Sequence, residues 1–312
     1  MMPPRGGRQG FAASPEPVGK VNAMKPSPRL SLNNGVLIDQ LGLGLYKVPA
    51  ADAPSLVSMA LGAGYRRFDT AAMYGNETGV ARGLSSAFGT EGGSGGSGEA
   101  APGLRREDVF ITTKVWNDDQ GYDRTLRAFD TSMVNLGLDY VDLYLIHWPC
   151  ARRGLFTETY RALETLYREG KVRAVGVCNF QPKHLDLLLQ KAEVVPAVNQ
   201  IELHPWLQQH ELSQKHKDLG ILTEAWSPLG RGQVLADPVV VALASEHGRT
   251  PAQIVLRWHI QLGNLTVPKA SSEARIRENL HVFGFELSPR DMAALAELDR
   301  GHRTGSHPDN VN

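Results

Sequence analysis

Four titratable side chains follow successive strand-like stretches of this sequence, and their chemical types are suited to acid–base chemistry. Asp69 ends the stretch YRRFD, Tyr74 follows in the loop DTAAMYGNE, Lys114 lies in VFITTKV, and His147 ends VDLYLIH. An ammonium stabilises a neighbouring phenolate, so a phenol beside a lysine can serve as a proton donor. Each residue alone is typical of a turn, a strand end or a core histidine. Together, coupled titratable groups of these types indicate a functional site.

The elements that would position these side chains are eight apolar, strand-like stretches that alternate with segments of helical spacing. The stretches cover residues 41–46, 65–69, 109–115, 141–147, 172–178, 197–203, 221–226 and 265–269. Repeated strand–helix units predict an α/β fold in which eight parallel strands close into a (β/α)8 TIM barrel. The carboxyl ends of barrel strands meet at one cavity, so the four side chains are expected to converge there.

An open, doubly wound sheet is the competing architecture. It requires a G-x-G-x-x-G phosphate turn after its first strand, and LGLGLYKVP (41–49) lacks that pattern. Before the barrel, RLSLNNGVLID (29–39) places two short apolar runs around Asn-Asn-Gly, which predicts an N-terminal β-hairpin.

Two segments interrupt the regular pattern. Residues 1–28 are rich in Pro, Gly and polar residues, which predicts a disordered N-terminal arm. The Gly/Ser-rich stretch 89–103 predicts a flexible surface insertion. The remaining chain, 29–312, is then one barrel domain that ends in a short C-terminal tail.

The composition excludes several classes of function. Basic and acidic residues number 33 each, so the formal net charge of zero gives no reason to expect a nucleic acid or an anionic membrane as partner. No apolar run approaches the roughly 18 residues of a membrane span. The two cysteines, Cys150 and Cys178, do not suggest a disulfide scaffold, which favours a reduced, cytoplasmic setting.

From residue 30 to 312, the chain resembles the aldo-keto reductase family. The resemblance rests on the motifs GYRRFDTAAMYGNE, ITTKVW, VDLYLIHWP, GVCNF, PAVNQIELHPW, AWSPLGRG and VPKASSEARIRENL, in this order. The tail GHRTGSHPDNVN resembles the bacterial branch that includes 2,5-diketo-D-gluconate reductase. The family implies a barrel enzyme, an NAD(P)H-dependent oxidoreductase that reduces aldehydes, ketones or diketo acids to alcohols, and a protein that is monomeric.

The resemblance also assigns roles to the four titratable residues. Tyr74 is the general acid that protonates the carbonyl oxygen as hydride arrives at the carbon. Lys114 is expected to lower the pKa of the phenol, and Asp69 to hold Lys114. His147 is expected to hydrogen-bond and orient the carbonyl oxygen.

The cofactor implied by the resemblance is NADPH, with NADH bound more weakly. The residues matched to cofactor contacts are Cys178, Asn179, Gln200, Trp226, Ser227, Leu229, Gly230, Arg231, Lys269, Ser271, Ser272, Arg275, Glu278 and Asn279. Two positions depart from the family, which often has Ser in place of Cys178 and of Ala270; Ser271 and Ser272 are expected to compensate for the latter. The residues expected to wall the substrate pocket, by their position after the strands, are Tyr46, Trp116, His147, Trp148 and Trp206.

Two alternatives stay open at this point. A metal-dependent barrel hydrolase would use Asp69, His147, Glu202 and His204 as ligands, although the first strand offers no histidine. A non-catalytic protein would keep NADPH in the barrel as a sensor or an auxiliary subunit. Otherwise the expected partner is a small carbonyl substrate, and no metal is expected.

Overall fold

The computed structural model of the chain describes residues 27–88 and 103–312. The predicted arm over 1–28 and the insertion over 89–103 therefore lie outside the described residues, apart from Ser27, Pro28 and Gly103. Ser27 and Pro28 are hydrogen-bonded to the start of the barrel. The Ser27 hydroxyl accepts from the amide of Leu41 at 3.1 Å, and the Pro28 carbonyl accepts from the amide of Gln40 at 2.8 Å.

A two-stranded antiparallel hairpin precedes an eight-stranded parallel sheet. The hairpin consists of β1 (Arg29–Ser31) and β2 (Leu37–Asp39). The parallel strands are β3 (Leu43–Gly44), β4 (Arg67–Asp69), β5 (Phe110–Val115), β6 (Val141–Ile146), β7 (Val172–Cys178), β8 (Val198–Glu202), β9 (Leu222–Trp226) and β10 (Leu265–Thr266). Each is paired with the next along the chain. The predicted strands and the predicted hairpin are confirmed.

Hydrogen bonds between the first and last strand regions close the sheet into a barrel. Leu41 forms a parallel bridge with Thr266. The Gly42 amide donates to the Thr266 carbonyl at 2.9 Å, and the Thr266 amide donates to the Gln40 carbonyl at 2.9 Å. The (β/α)8 barrel is therefore confirmed, and the competing open sheet is wrong.

Ten α-helices lie within the described residues. They are α1 (Ala53–Ala63), α2 (Glu77–Ser85), α3 (Tyr122–Leu136), α4 (Phe156–Arg168), α5 (Pro182–Leu189), α6 (His210–Leu219), α7 (Pro238–Glu246), α8 (Pro251–Gln261), α9 (Glu273–Leu280) and α10 (Pro289–Ala296). Local sequence sets their ends: Thr250 and Gln253 form a reciprocal capping box before α8. None of these helices is long and apolar enough to cross a membrane.

The lower, amino-terminal end of the barrel is filled by the hairpin and by a buried ion pair. Leu32 and Ile38 of the hairpin region pack in one cluster with barrel residues that include Leu143. Arg67 of β4 and Glu224 of β9 form a fully buried salt bridge inside the barrel. A buried ion pair of this kind is costly to break because one charge is then left unpaired. The space for a ligand consequently lies at the opposite, carboxyl-terminal end.

Two histidines packed between the barrel and its helices make the stability of the fold depend on pH. His216 of α6 contacts Asn199 and Thr223 at 2.8 Å each, and His259 of α8 lies 3.2 Å from the Pro228 carbonyl. Burial lowers the pKa of His216 to about 4 and that of His259 to about 3. In the unfolded chain both pKa values return to about 6.5.

We therefore expect the free energy of unfolding to fall as the pH is lowered below about 6.5, because the unfolded chain then binds more protons than the folded one. The slope is about 1.4 kcal/mol per pH unit for each such histidine. Urea unfolding at steps between about pH 7 and pH 5 measures it. In the variant His216→Asn, the slope should be smaller by about 1.4 kcal/mol per pH unit, because one fewer proton is taken up on unfolding. A stability that is flat over this range would contradict the assignment.

Candidate active site

A cavity of about 750 Å³ opens at the carboxyl-terminal end of the barrel. Most of the site residues predicted from the sequence line it. They are Tyr46, Asp69, Tyr74, His147, Trp148, Asn179, Gln200, Trp226, Ser227, Leu229, Arg231, Lys269, Arg275, Glu278 and Asn279. This is the convergence that barrel geometry requires of residues at strand ends.

Lys114 lies beneath the cavity floor and joins a carboxylate to a phenol. Its Nζ donates to Asp69 Oδ1 at 2.7 Å, to the Thr70 carbonyl at 2.9 Å and to the Tyr74 hydroxyl at 3.4 Å. Asp69 ends β4 and Lys114 lies in the neighbouring β5, so strand pairing brings the two together. Tyr74 ends a single 3₁₀ turn, Ala72–Tyr74, that follows β4. All three hydrogens of the ammonium are used, which fixes its position.

Burial and neighbouring charges shift the pKa values of Lys114 and Tyr74 in opposite directions. Burial lowers the pKa of Lys114, but the groups around it, the Asp69 carboxylate foremost, together more than offset the burial, so the pKa rises above its ordinary value and the ammonium stays charged. Burial raises the pKa of the Tyr74 phenol, and Lys114 only partly reverses the rise. Lys114 thus lowers the pKa of the phenol as expected, but the net shift is upward because burial outweighs it. Tyr74 holds its proton at neutral pH, as a proton donor must before it acts.

His147 follows β6 and lines the cavity as a neutral imidazole. Burial lowers its pKa well below the ordinary value, and the positive charge of Lys114 lowers it further. Its ring stands edge-on to Tyr74 at 5.6 Å and to Trp116 at 5.1 Å between centroids. Trp116 does not line the cavity. Trp116 was expected to form part of the wall of the substrate pocket. It packs instead against the His147 imidazole, off the cavity lining.

Two amide side chains link the rest of the cavity to these four residues. Gln200 Nε2 donates to Asp69 Oδ2 at 2.8 Å. Asn179 Nδ2 donates to the His147 carbonyl at 2.9 Å, and its Oδ1 accepts from the indole nitrogen of Trp226 at 2.8 Å. Both amides are therefore held in fixed orientations at the cavity surface.

Cys178 is buried behind this surface and does not line the cavity. Its Sγ lies 3.9 Å from Gln200 Oε1, so its contact is with a predicted cofactor residue. Burial raises the pKa of the thiol well above its ordinary value. A buried thiol of this kind is unreactive.

The far end of the cavity is cationic. Lys47, Arg231, Lys269 and Arg275 all line it. The Lys269 ammonium donates to the Lys47 carbonyl at 2.8 Å, and the only lining carboxylate in this region of the described chain, Glu278, accepts from the Thr250 hydroxyl at 2.6 Å. The cations consequently dominate the electrostatics at this end.

Three of the predicted cofactor residues near this end lie off the cavity lining. Gly230 is buried, and an added Cβ would lie 2.5 Å from Val234 Cγ2, so this glycine is needed for packing. Ser271 and Ser272 are exposed residues just before α9 that do not line the cavity. That these two serines replace the cofactor contact of the Ser that the family often has at position 270 stays a prediction.

Several lining residues are of types that do not stand out in the sequence. They are Gly44, Lys47, Met73, Pro228, Gly232, Leu235, Thr250, Pro251, Ala252, Val267, Pro268 and Ser306. Gly44 is explained by close approach, because an added Cβ would lie 2.6 Å from the Val267 carbonyl oxygen. Lys47, a cation directly after the first strand, is the one whose position could have been recognised from the sequence.

The prediction that Trp206 walls the substrate pocket is wrong. Trp206 does not line the cavity, because the chain turns back after β8 through a bridge between His204 and Leu207. Its indole nitrogen donates to Asp237 at 2.8 Å, and the Arg300 guanidinium lies 3.7 Å from its ring centroid. Trp206 therefore holds the C-terminal segment in place.

The residues of the metal-hydrolase alternative do not form a ligand set. His204 Nε2 lies 3.2 Å from Glu202 Oε1, and Glu202 also binds the C-terminal tail. Asp69 is occupied by Lys114 and Gln200. Within residues 27–88 and 103–312, no three His, Cys, Asp or Glu side chains are arranged to hold a metal ion.

Comparison with known proteins places this geometry in a family. Residues 40–300 match the Aldo/keto reductase family. An aldo-keto reductase of Mycolicibacterium smegmatis is 50% identical over 286 residues, which are 92% of this chain and 98% of that protein. Glyoxal reductase of Bacillus subtilis is 46% identical over 283 residues, 90% of this chain and 96% of that protein. The crystal structure of a Gox0644 mutant in complex with NADPH is 41% identical, with a TM-score of 0.84 and coverage of 92% and 100%. The chain therefore belongs to the aldo/keto reductase family of oxidoreductases.

Proposed function

We propose that this protein is an NADPH-dependent reductase that converts aldehydes, ketones or diketo acids to alcohols, with Tyr74 as the general acid. The observation that carries the proposal is the contact chain from Asp69 through Lys114 to the Tyr74 hydroxyl, with His147 beside it in the cavity. The names of two relatives support it: one reduces glyoxal and one binds NADPH.

The cavity offers two environments that fit the two ends of NADPH. Near Tyr74, the oriented amides of Asn179 and Gln200 can pair with a carboxamide, and Trp226 provides an aromatic face. At the far end, Lys269 and Arg275 can pair with a phosphate monoester. When bound, NADPH supplies the hydride for the carbonyl carbon.

The protein residues then handle the oxygen of the substrate. Neutral His147 hydrogen-bonds the carbonyl oxygen and orients it, and the Tyr74 hydroxyl donates its proton to that oxygen as negative charge develops there. Lys114 stabilises the phenolate that Tyr74 leaves behind. Asp69 keeps Lys114 charged and in place. Tyr74 recovers a proton from solvent through the open mouth of the cavity.

The cationic end of the cavity should select NADPH over NADH. We expect Arg275→Ala or Lys269→Ala to raise the Kd for NADPH by about 10- to 100-fold, because each removes a charge-assisted contact to the phosphate. The Kd for NADH should hardly change, since NADH lacks that phosphate. Fluorescence titration with each cofactor measures both constants.

Arg277→Ala is the matched control for this pair of variants. Arg277 lies on the same helix two residues after Arg275, but it pairs with Glu273 at 2.8 Å and does not line the cavity. Its replacement should leave both Kd values unchanged. Equal losses of NADPH and NADH affinity in Arg275→Ala would show that Arg275 does not bind the phosphate that distinguishes the two cofactors.

The proposed reaction is tested with a panel of carbonyl compounds and either cofactor. Glyoxal as an aldehyde, a simple ketone and a diketo acid separate the three substrate classes. Oxidation of NADPH by any of them supports the proposal, and binding of NADPH without turnover on the whole panel would favour the non-catalytic alternative. The 2,5-diketo-D-gluconate branch, the monomeric state and the cytoplasmic setting stay predictions.

A further inference from the structure

The C-terminal tail, residues 302–312, is anchored inside the barrel rim by one buried carboxylate. Glu202 ends β8 and is fully buried. Its Oε1 accepts from the Thr304 amide at 2.6 Å and from the Thr304 hydroxyl at 2.7 Å, and its Oε2 accepts from the Gly305 amide at 3.1 Å. Arg303 Nη1 adds a contact at 3.5 Å. Three consecutive tail residues thus bind the same side chain.

Glu202 remains ionised in this position. Burial by itself raises the pKa of a carboxyl group, but hydrogen bonds from His204 and Thr304 lower the pKa of Glu202 to about 2. An ionised acceptor binds N–H and O–H groups about twice as strongly as a neutral one. The carboxylate is therefore a strong attachment point for the tail.

Attachment at Glu202 brings the tail against the cavity. An added Cβ on Gly305 would lie 2.4 Å from Trp226 Cη2, so the tail backbone touches the indole directly. The next residue, Ser306, lines the cavity. Beyond it, Asp309 pairs with Lys183 of α5 at 2.7 Å. Ser306 is thus held between two anchored positions.

We propose that Glu202 is a positioning residue that latches the tail, so that Ser306 forms a fixed part of the cavity wall beside Trp226 and sets the selectivity for carbonyl compounds. The proposal rests on the proposed reductase function for its kinetic consequence. The latch itself is independent of that function and can be measured without any cofactor or substrate.

The latch is tested by hydrogen exchange of the Thr304 and Gly305 amides in the full chain without cofactor. In Glu202→Gln, one charged acceptor becomes a neutral amide, and both amides should exchange at least about tenfold faster than in the wild type. The matched control is Glu164→Gln. Glu164 is also a buried carboxylate that accepts two backbone amides, those of Glu193 and Val194 at 2.7 and 2.9 Å, and it does not line the cavity.

Exchange at Thr304 and Gly305 should stay slow in Glu164→Gln. Equal exchange rates in the two variants would overturn the latch, whether or not the protein reduces carbonyl compounds. The exchange experiment can therefore contradict the latch while the proposed function holds, and the reverse is also possible.

The wall is tested by steady-state kinetics on one small and one bulky aldehyde. Glu202→Gln should raise the KM of the bulky aldehyde by about tenfold, the size of one charge-assisted hydrogen bond, with a smaller change in kcat. Gly305→Ala should shift the same KM in the same direction, because its methyl group would lie 2.4 Å from Trp226 Cη2 and 3.1 Å from Glu202 Oε2 and so displaces the tail while Glu202 keeps its charge. Faster exchange with an unchanged ratio of KM values in both variants would overturn the role of the tail in selectivity.

Discussion

Replacing Tyr74 by Phe should lower kcat for carbonyl reduction by about 10²- to 10⁴-fold, the range measured for loss of a positioned general acid. The Kd for NADPH should remain within about twofold, since the ring is kept and only the hydroxyl is lost. Stopped-flow absorbance of NADPH gives the rate, and a fluorescence titration of the same sample gives the affinity.

The surroundings of Tyr74 explain why the loss should be confined to the chemical step. In the variant, Lys114 keeps its bonds to Asp69 at 2.7 Å and to the Thr70 carbonyl at 2.9 Å. The aromatic ring keeps its contacts with Tyr46 and His147. Only the donor of the proton disappears, so the barrier to carbonyl reduction should rise without a change in the fold.

Tyr144→Phe is the matched control for the lost hydroxyl. Tyr144 lies in β6 and is fully buried, and its hydroxyl has no hydrogen-bond partner among the described residues. It does not line the cavity. This variant should turn over at about the wild-type rate. If Tyr74→Phe retained a similar rate, the assignment of the general acid would be wrong.

Replacing Lys114 by Met should damage both activity and stability. The Asp69 carboxylate would stay almost fully buried, with Gln200 as its one remaining side-chain donor among the described residues, and breaking a buried ion pair in this way costs about 3–5 kcal/mol of unfolding free energy. Turnover should fall by about 10²-fold or more, because the phenolate would lose its stabilising ammonium. Urea unfolding and steady-state kinetics measure the two effects.

A double variant separates the two consequences of losing Lys114. Adding Asp69→Asn to Lys114→Met removes the unpaired charge, so part of the stability should return. Activity should not return, since no ammonium faces Tyr74. Recovery of turnover in the double variant would contradict the role given to Lys114.

The sequence predicted the barrel and the residues around Tyr74 because both depend on local patterns. Each of Asp69, Lys114 and His147 lies on or directly after a recognisable strand, and barrel topology alone brings strand ends together. The net pKa shift of Tyr74 could not be predicted in this way. It depends on how deeply the hydroxyl is buried, which is a property of the whole cavity.

The contributions of the C-terminal segment could not be predicted for a different reason. Glu202 and Thr304 are about a hundred residues apart in sequence, and no spacing rule connects a strand end with a terminal tail. The error over Trp206 has the same origin. Its position after a strand suggested a cavity wall, whereas the turn that follows β8 directs its ring toward Arg300.

The most direct test of the central claim is the stoichiometry of the wild-type reaction with one aldehyde. The amount of NADPH consumed, read from its absorbance, is compared with the amount of alcohol formed, read by chromatography. The proposed function predicts one NADPH oxidised for each carbonyl group reduced, and no alcohol when NADPH is omitted. Tight binding of NADPH with neither consumption of cofactor nor formation of alcohol from any aldehyde, ketone or diketo acid would contradict it.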